Sequence, residues 1–402
     1  MIRTGILSLL VGCTATLCAV EPARLLSDIN IVGGGLFSEA VLGERLFFAY
    51  QDAQGDELWV SDGSLDGTHV FADLVAGPGS SSPRELTRIG DRIYFSALDL
   101  VGDRELWVSN GTVGGTRRLV DIDPDGSSAP QDIGPGGDGL LFTASTADHG
   151  RELWTVDPAS GDARRLSDIR PGAGDGIGIG QFATLDDGTR LFVANDGIHG
   201  RELWSWDGSS LRMLPEIVTG TGDPRFGALQ AAGEQVFTTA DTADSGTELW
   251  VATATTWTMP RDIRPGAQGS NPIFRTVVDG RAFFQADDGT HGREVWYSDG
   301  TSDGTRMLAD LTDASVIYGP SNLGAAHGLC WFEADKPGEI FDGELWVTDG
   351  DPANTRMVAE LRPGGQGSSS DPQHFVPMSD GRVLFLAQTV AGVTGVHEPW
   401  IT

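Results

Sequence analysis

The chain has few cysteines, few basic residues and, beyond its first 20 positions, no long apolar run. Three cysteines in 402 residues, Cys13, Cys18 and Cys330, exclude a disulfide framework. The 57 acidic residues outnumber 27 basic ones, and the net charge of −30 argues against binding to nucleic acid. No later run reaches the roughly 18 apolar residues of a membrane-spanning helix, so no transmembrane segment is predicted. Cys330, in an apolar run, is predicted to be a buried thiol, with a catalytic thiol as the alternative.

Sequence signatures of common catalytic sites are also missing. The chain has no Gly-x-Ser-x-Gly elbow, no His-Glu-x-x-His metalloprotease motif and no phosphate-binding glycine loop. No catalytic residue and no cofactor are therefore assigned. A protein without enzymatic activity is favoured over an enzyme.

The first 20 residues have the composition of a signal peptide. One positive charge, Arg3, precedes an apolar run from Gly5 to Val20 that ends in small residues. Residues 10–13, Leu-Val-Gly-Cys, resemble a bacterial lipobox, in which Cys13 would carry the lipid. Cleavage near Ala19 is the alternative. The sequence therefore predicts an exported protein that is secreted, periplasmic or lipid-anchored at the cell surface.

A repeated unit occupies the rest of the chain. Tryptophans preceded in most copies by Glu-Leu recur every 46 to 54 residues, at Trp59, Trp107, Trp154, Trp204, Trp250, Trp296, Trp346 and Trp400. A phenylalanine marker recurs at Phe48, Phe95, Phe142, Phe192, Phe237, Phe284, Phe332 and Phe385. An acidic marker before Ile or Leu recurs at Asp28, Asp73, Asp121, Asp168, Glu216, Asp262, Asp310 and Glu360. Eight copies of each marker indicate a repeat architecture.

Each unit divides into four short strands separated by turn residues. In the sixth unit the predicted strands are Ile273 to Val278, Arg281 to Ala286, Glu294 to Ser298 and Arg306 to Leu311. The gap from tryptophan to the next acidic marker is 12 or 14 residues, always even, as the alternating faces of a strand require. We expect the register tryptophans to fill the interior between sheets.

The chain is therefore predicted to be all-β, an eight-bladed propeller of four-stranded antiparallel blades forming one domain over residues 24–402. The eighth unit lacks a fourth strand, whereas residues Arg24 to Ile29 form an extra copy of that strand at the other end. Pairing the two would close the ring and remove its exposed edges. An open β-solenoid is the alternative.

The runs Glu105-Leu-Trp-Val-Ser-Asn-Gly-Thr-Val-Gly-Gly-Thr116 and Glu294-Val-Trp-Tyr-Ser-Asp-Gly-Thr-Ser-Asp-Gly-Thr305 resemble the bacterial ELWxxDGT repeat family. The resemblance runs from about residue 24 to the end. It implies exported proteins with a propeller-like fold and an undefined biochemical role. Five copies depart from the pattern in the turn after the tryptophan, which suggests that this turn is structural.

Two kinds of loop meet at one edge of each blade, the connection to the next blade and the loop between its second and third strands. The connections to the next blade vary most in length, since the gap from acidic marker to phenylalanine runs from 20 to 25 residues. Variable loops on a constant scaffold are where recognition usually lies. The sequence therefore predicts a binding or adhesion module for a surface protein or a glycan. The alternatives are an enzyme acting on extracellular polysaccharide through carboxylates at the central channel, and a calcium-organised structural protein.

Several residues are candidates for ligand contacts. Asp262, Asp288 and Glu294 could contribute to a calcium site, although the preferred interpretation is that such repeated carboxylates accept backbone amides or pair with arginines. His149, His199 and His291 share one repeat position and are predicted to be solvated loop residues rather than zinc ligands. Trp206, Trp257 and Trp331 lie outside the repeat, and one of them, if exposed, could stack on a sugar.

Overall fold

The computed structural model describes residues 38–402 except 53–54, 65, 138, 312–318, 337–340, 363–368 and 389–396. Within these residues there is no α-helix, and the helical segments are the short 3₁₀ turns Val113–Gly115 and Pro352–Asn354. All other regular structure is antiparallel strand. No helix in the described part of the chain is long and apolar enough to cross a membrane. The predicted all-β class is confirmed.

The described residues form two compact units, one up to Gly180 together with Asn195–Gly197, the other from Gln181 to Ala194 and from Ile198 to Thr402. The first unit contains three four-stranded sheets. Their strands are β1 Glu39–Leu42, β2 Arg45–Asp52, β3 Gly55–Ser61 and β4 His69–Ala72; β5 Arg84–Ile89, β6 Arg92–Leu98, β7 Arg104–Ser109 and β8 Arg117–Val120; and β9 Gln131–Gly136, β10 Gly139–Thr146, β11 Gly150–Val156 and β12 Ala163–Arg165.

The boundary between the units passes through the fourth sheet, and four further sheets belong to the second unit. The strands of the fourth to sixth sheets are β13 Ile177–Thr184, β14 Arg190–Asn195, β15 Arg201–Trp206 and β16 Leu211–Met213; β17 Gln230–Ala232, β18 Gln235–Thr242, β19 Gly246–Ala252 and β20 Trp257–Thr258; and β21 Ile273–Val278, β22 Arg281–Asp287, β23 Arg293–Ser298 and β24 Arg306–Met307. Those of the last two are β25 Ser321–Ala326, β26 Leu329–Ala334, β27 Glu344–Thr348 and β28 Arg356–Ala359; and β29 Gln373–Pro377, β30 Val383–Ala387 and β31 Glu398–Ile401.

Each sheet is a simple meander, with its strands hydrogen-bonded in chain order. The predicted strands of the sixth unit are observed, but the fourth ends at Met307 instead of Leu311. The chain leaves the ladder there because the amide of Leu308 donates to the carbonyl of Val295, and that of Leu311 donates to the carboxylate of Glu294. The eighth sheet has three strands among the described residues. The predicted closing strand, Arg24 to Ile29, lies outside them, as do Cys13 and the predicted signal peptide.

The core lies between consecutive sheets within each unit. Phe142, on β10, packs with Leu106 and Val108 of the second sheet, and Phe284, on β22, packs with Leu249 of the fifth. All eight marker phenylalanines are at most 4 % exposed. Burying a side chain of this size contributes about 1.5–3 kcal/mol relative to leaving it in water, so this repeated position supplies much of the packing energy.

The register tryptophans are less buried than predicted. Trp296 and Trp346 are 4 % and 7 % exposed, and the other six are half-buried. In the Glu-Leu-Trp run, alternation places Glu and Trp on one face of the third strand and Leu on the other. The leucine position is almost completely buried, as at Leu58 and Leu203, both 0 % exposed. The interior is therefore centred on phenylalanine and leucine, with tryptophan at its margin.

Candidate functional site

In seven of the eight sheets, the edge where variable loops were predicted to meet carries a buried glutamate, the first residue of the Glu-Leu-Trp or Glu-Val-Trp run. We call these residues the anchor glutamates and the connection to the next sheet the crossing segment. The anchor glutamates are at most 1 % exposed, and they are Glu57, Glu105, Glu152, Glu202, Glu248, Glu294 and Glu344. A carboxylate buried this deeply is stable in its charged form only when donors surround it.

The crossing segments supply those donors. Glu105 accepts hydrogen bonds from the amide of Ile122 at 3.1 Å and from the amide and hydroxyl of Ser128 at 2.9 and 2.6 Å. Glu57 is bound in the same way by Leu74 and Ser81. In both cases the amide donor directly follows the acidic marker. The anchor glutamate therefore binds the crossing segment to the sheet that precedes it.

The same serines also bind the following sheet. The carbonyl of Ser81 accepts from the amide of Leu98, and that of Ser128 accepts from the amide of Ser145. Ser270 bridges Glu248 and the amide of Asp287 in the same manner. We call these the bridging serines. The sequence signal for them is a recurrent Ser-x-Pro, which is visible in the chain but has no evident meaning before the fold is known.

Burial raises the pKa of several anchor glutamates, and their donors partly offset it. The direction is upward for Glu105, Glu152, Glu248 and Glu344, each with desolvation as the largest cause and serine hydroxyl and backbone hydrogen bonds opposing it. For Glu202 the pKa rises to about 8. Among these five anchors, Glu202 has the largest upward pKa shift.

The acidic markers themselves lie at the surface, where they pair with bases of the same sheet. Asp168 is 3.7 Å from the ring of His149, and Glu216 is 3.7 Å from that of His199. Glu360 contacts Lys336, the single lysine of the chain, at 2.7 Å. The prediction that repeated acids accept backbone amides applies best to the anchor glutamates. Two of the loop histidines, His149 and His199, lie beside acidic markers.

The three calcium candidates are not brought together. Glu294 is a buried anchor that accepts the amide of Leu311, Asp288 binds the ring of His291 at 2.7 Å, and Asp262 is exposed. Within the described part of the chain, no three His, Cys, Asp or Glu side chains are grouped so as to hold a metal ion. Three other predicted candidates lie in the core: Cys330 is 0 % exposed, and Trp257 and Trp331 are 8 % and 7 % exposed. Trp206 is half-buried.

One polar network in the second unit has no equivalent in the other sheets. Glu333, on β26, holds the position after the marker phenylalanine, which is Ala49, Ser96, Thr143, Val193, Thr238, Gln285 or Leu386 elsewhere. It accepts the hydroxyls of Ser321 and Ser369 at 2.6 and 2.7 Å. Burial raises its pKa. A side chain on Gly343 would collide with this carboxylate, so the glycine makes room for it.

The network continues to a second carboxylate. The Nδ2 atom of Asn322 lies 3.1 Å from Glu333 and 2.8 Å from Asp371, so the two acids share one donor. Asp371 in turn contacts Nε2 of His397 at 2.8 Å. Sequence reasoning missed this set because its members are about 75 residues apart and belong to two units of the repeat.

Two open cavities lie within single units. One, of about 520 Å³, is lined by Val60, Phe71 and Val113 with Arg45 and His69 at its margin. The other, of about 330 Å³, is lined by Val218, Asp223, Arg225, Asp241 and Ala267 and lies along the crossing segment after the fourth sheet. The second cavity is therefore bounded in part by the crossing segment that follows the anchor Glu202.

No family model matches the chain, and no curated protein matches it. Solved structures do. The chain is similar to a puromycin hydrolase, at 14% identity over 89% of this chain and 59% of the hydrolase, with a TM-score of 0.43. It is similar to a puromycin-hydrolyzing peptidase of Mycobacterium tuberculosis, at 12% identity, 88% and 57% coverage and a TM-score of 0.42. The β-propeller domain of the Trilobed protease from Pyrococcus furiosus matches at 12% identity, 91% and 94% coverage and a TM-score of 0.36. The chain thus spans under two thirds of either hydrolase.

Proposed function

We propose that the chain is an exported binding module of the β-propeller type, with eight blades, that recognises a protein or glycan partner at the cell surface through its crossing edge. Eight consecutive meander sheets support the blade assignment. The signal-like sequence of residues 1–20 supports export. The net charge of −30 favours a partner with basic groups.

The observation that carries the binding role is a rigid apolar loop tip between β6 and β7. Leu100 and Val101 are 76 % and 80 % exposed. Oδ1 of Asp99 accepts the amides of Val101, Gly102 and Asp103 at 2.9 to 3.1 Å, which holds the tip in one conformation. Oδ2 of Asp99 is paired with Arg118 at 3.0 Å. A preordered apolar tip loses little conformational entropy on binding.

The same loop carries exposed apolar residues in two other sheets. Ile198 is 67 % exposed in the fourth sheet, and Phe341 is 52 % exposed in the seventh. This loop varies in sequence among the units, whereas the strands below it keep the repeat markers. Exposed apolar side chains on such a loop are suited to contact with a partner. A partner with apolar pockets and basic margins would fit them.

The test is binding of the purified protein to cell-envelope fractions and to a glycan array. We expect a Leu100→Ser and Val101→Ser double variant to lose at least about tenfold in affinity, since apolar interface anchors contribute most of the binding energy. Val113→Ser is the matched control, because Val113 is 63 % exposed in a turn at the opposite edge of its sheet. Equal binding by both variants would contradict the proposal.

A second candidate function is hydrolysis of an extracellular polysaccharide, for which the Glu333 network is the specific support. Glu333 combines a raised pKa with a neighbouring carboxylate, Asp371, and has no counterpart in the other sheets. Such a pair could divide acid and base roles. The test is reducing-sugar release from a polysaccharide panel by the wild type and by Glu333→Gln. Release that persists in Glu333→Gln would exclude this carboxylate as the acid.

A further inference from the structure

The crossing segment after the fourth sheet differs from the others at the position of the bridging serine. That position is occupied by Pro224, whose carbonyl accepts from the amide of Asp241 just as that of Ser81 accepts from Leu98. The next residue, Arg225, has φ +47°, and Ser82 has φ +44°. The two segments therefore follow the same path, and Pro224 corresponds to Ser81.

Proline removes both donors that the serine supplies. It has no amide hydrogen and no hydroxyl, whereas Ser81, Ser128 and Ser270 each donate through both groups. The third sheet also lacks a serine at the bridging position, which is Gly176, but its anchor Glu152 accepts a hydrogen bond from the hydroxyl of Ser167 instead. In the described residues, no hydroxyl donates to Glu202.

Glu202 is nevertheless completely buried. The amide of Ile217 and the ring of His199 favour its charged form, whereas Glu216 and Asp223 repel it. Glu216 is itself beside His199, at 3.7 Å. The anchor is thus surrounded by more negative than positive groups, in a site that lacks the bridging serine's donors.

We propose that the crossing segment of residues 214–229 is a pH-sensitive device, bound to the fourth sheet while Glu202 is protonated and released when Glu202 ionises. Release rearranges the 330 Å³ cavity, because Val218, Asp223 and Arg225 of this segment line it. The inference is independent of the proposed binding role, which concerns other loops.

The expected pH dependence of the opening equilibrium follows from the linkage between protonation and release. The carboxyl has a pKa of about 8 when bound and an ordinary value near 4.5 when released, so the released state binds fewer protons and is favoured as the pH rises. Between pH 7 and pH 9 the opening equilibrium should increase about tenfold before it levels off.

Hydrogen exchange of the whole protein, measured by mass spectrometry and corrected for intrinsic rates, tests the proposal. Peptides covering 214–229 should lose about tenfold in protection between pH 7 and pH 9, while residues 121–130, the segment of Glu105 and Ser128, serve as the internal reference. Glu202→Gln should abolish the pH effect, because the amide cannot ionise. Pro224→Ser should reduce it by restoring both donors.

Two results would overturn the proposal. One is parallel exchange of residues 214–229 and 121–130 at both pH values in the wild type. The other is an undiminished pH effect in Glu202→Gln, which would assign the effect to another group. If Pro224→Ser does not fold, the Glu202→Gln comparison alone decides between these outcomes.

Discussion

At the scale of single residues, the central feature is a carboxylate repeated in seven sheets and buried in each. Its stability rests on donors from another part of the chain, so each anchor couples a sheet to the crossing segment. Replacing a surface acid should therefore change the free energy of unfolding little. Removing one donor to an anchor glutamate should lower it more, because a buried charge then lacks a hydrogen bond. Two predictions belong to this scale.

Ser128→Ala removes the hydroxyl that donates to Glu105 at 2.6 Å. We expect a loss of about 1–3 kcal/mol in the free energy of unfolding, because the buried carboxylate retains only amide donors. Urea denaturation measures it. Ser302→Ala, at an exposed turn, is the matched control and should change stability by less than about 0.5 kcal/mol. A Ser128→Ala variant as stable as this control would show that the hydroxyl is dispensable.

Stability should fall as the pH rises through the near-neutral range. For Glu202 the native pKa of about 8 exceeds the ordinary 4.5, so the native state binds more protons. The stability from this group is complete below pH 4.5 and is lost progressively up to pH 8. Glu105, Glu152, Glu248 and Glu344 shift in the same direction. Urea midpoints at pH 5 and pH 8 test this, with Glu202→Gln expected to show a shallower decline. A midpoint that rises with pH would be the contrary outcome.

At the scale of elements, the second strand of each sheet supplies the core and the third strand its margin. Phe142 and Trp154 are direct cross-strand partners, yet the phenylalanine is 1 % exposed and the tryptophan half-buried. The sequence marks tryptophan more visibly, because Glu-Leu-Trp is the best conserved run among the copies. How strictly a residue recurs among the copies therefore does not indicate how deeply its side chain is buried.

Phe142→Ala should cost about 3–5 kcal/mol, the range of large core truncations. Trp154→Ala should cost less, because part of its ring is already in contact with solvent. Chemical denaturation of both variants under one set of conditions makes the comparison. The reverse order of cost would show that the tryptophan row is the true core.

At the scale of the whole molecule, the eighth sheet has three strands among the described residues, against four in each of the other sheets. Residues 24–29, which lie outside the described residues, repeat the sequence pattern of the fourth strand of the other units. The prediction from the sequence is that they pair with the last Glu-Pro-Trp strand, because an exposed strand edge would otherwise invite association between chains.

Replacing residues 24–29 with a Gly-Ser sequence of equal length should lower the melting temperature of the protein and promote aggregation. The control is a shorter Gly-Ser replacement at residues 32–35, Val-Gly-Gly-Gly, a segment that is already mostly glycine. Thermal unfolding and light scattering follow the two effects. An unchanged melting temperature would reject closure by this segment.

Calcium should leave the melting temperature unchanged, because Glu294 and Asp288 already have protein partners and the described residues contain no group of three acidic, histidine or cysteine side chains that could hold a metal ion. The measurement compares melting in excess calcium and in chelator. A calcium-dependent rise of several degrees, equivalent to about 1 kcal/mol or more, would instead support the alternative of a calcium-organised protein.

The sequence alone was enough to establish the all-β class, the repeated four-strand unit and, in the sixth unit, the strand bounds to within four residues. These properties are local, since they depend on turn residues and on the two-residue alternation of strands. The anchor glutamates, the bridging serines and the role of Pro224 depended on tertiary structure. Each of them is defined by groups that lie 15 to 26 residues apart and meet only when a crossing segment folds back onto the preceding sheet. A carboxylate read from sequence is charged and exposed by default, and only packing reveals that it is buried and which donors reach it.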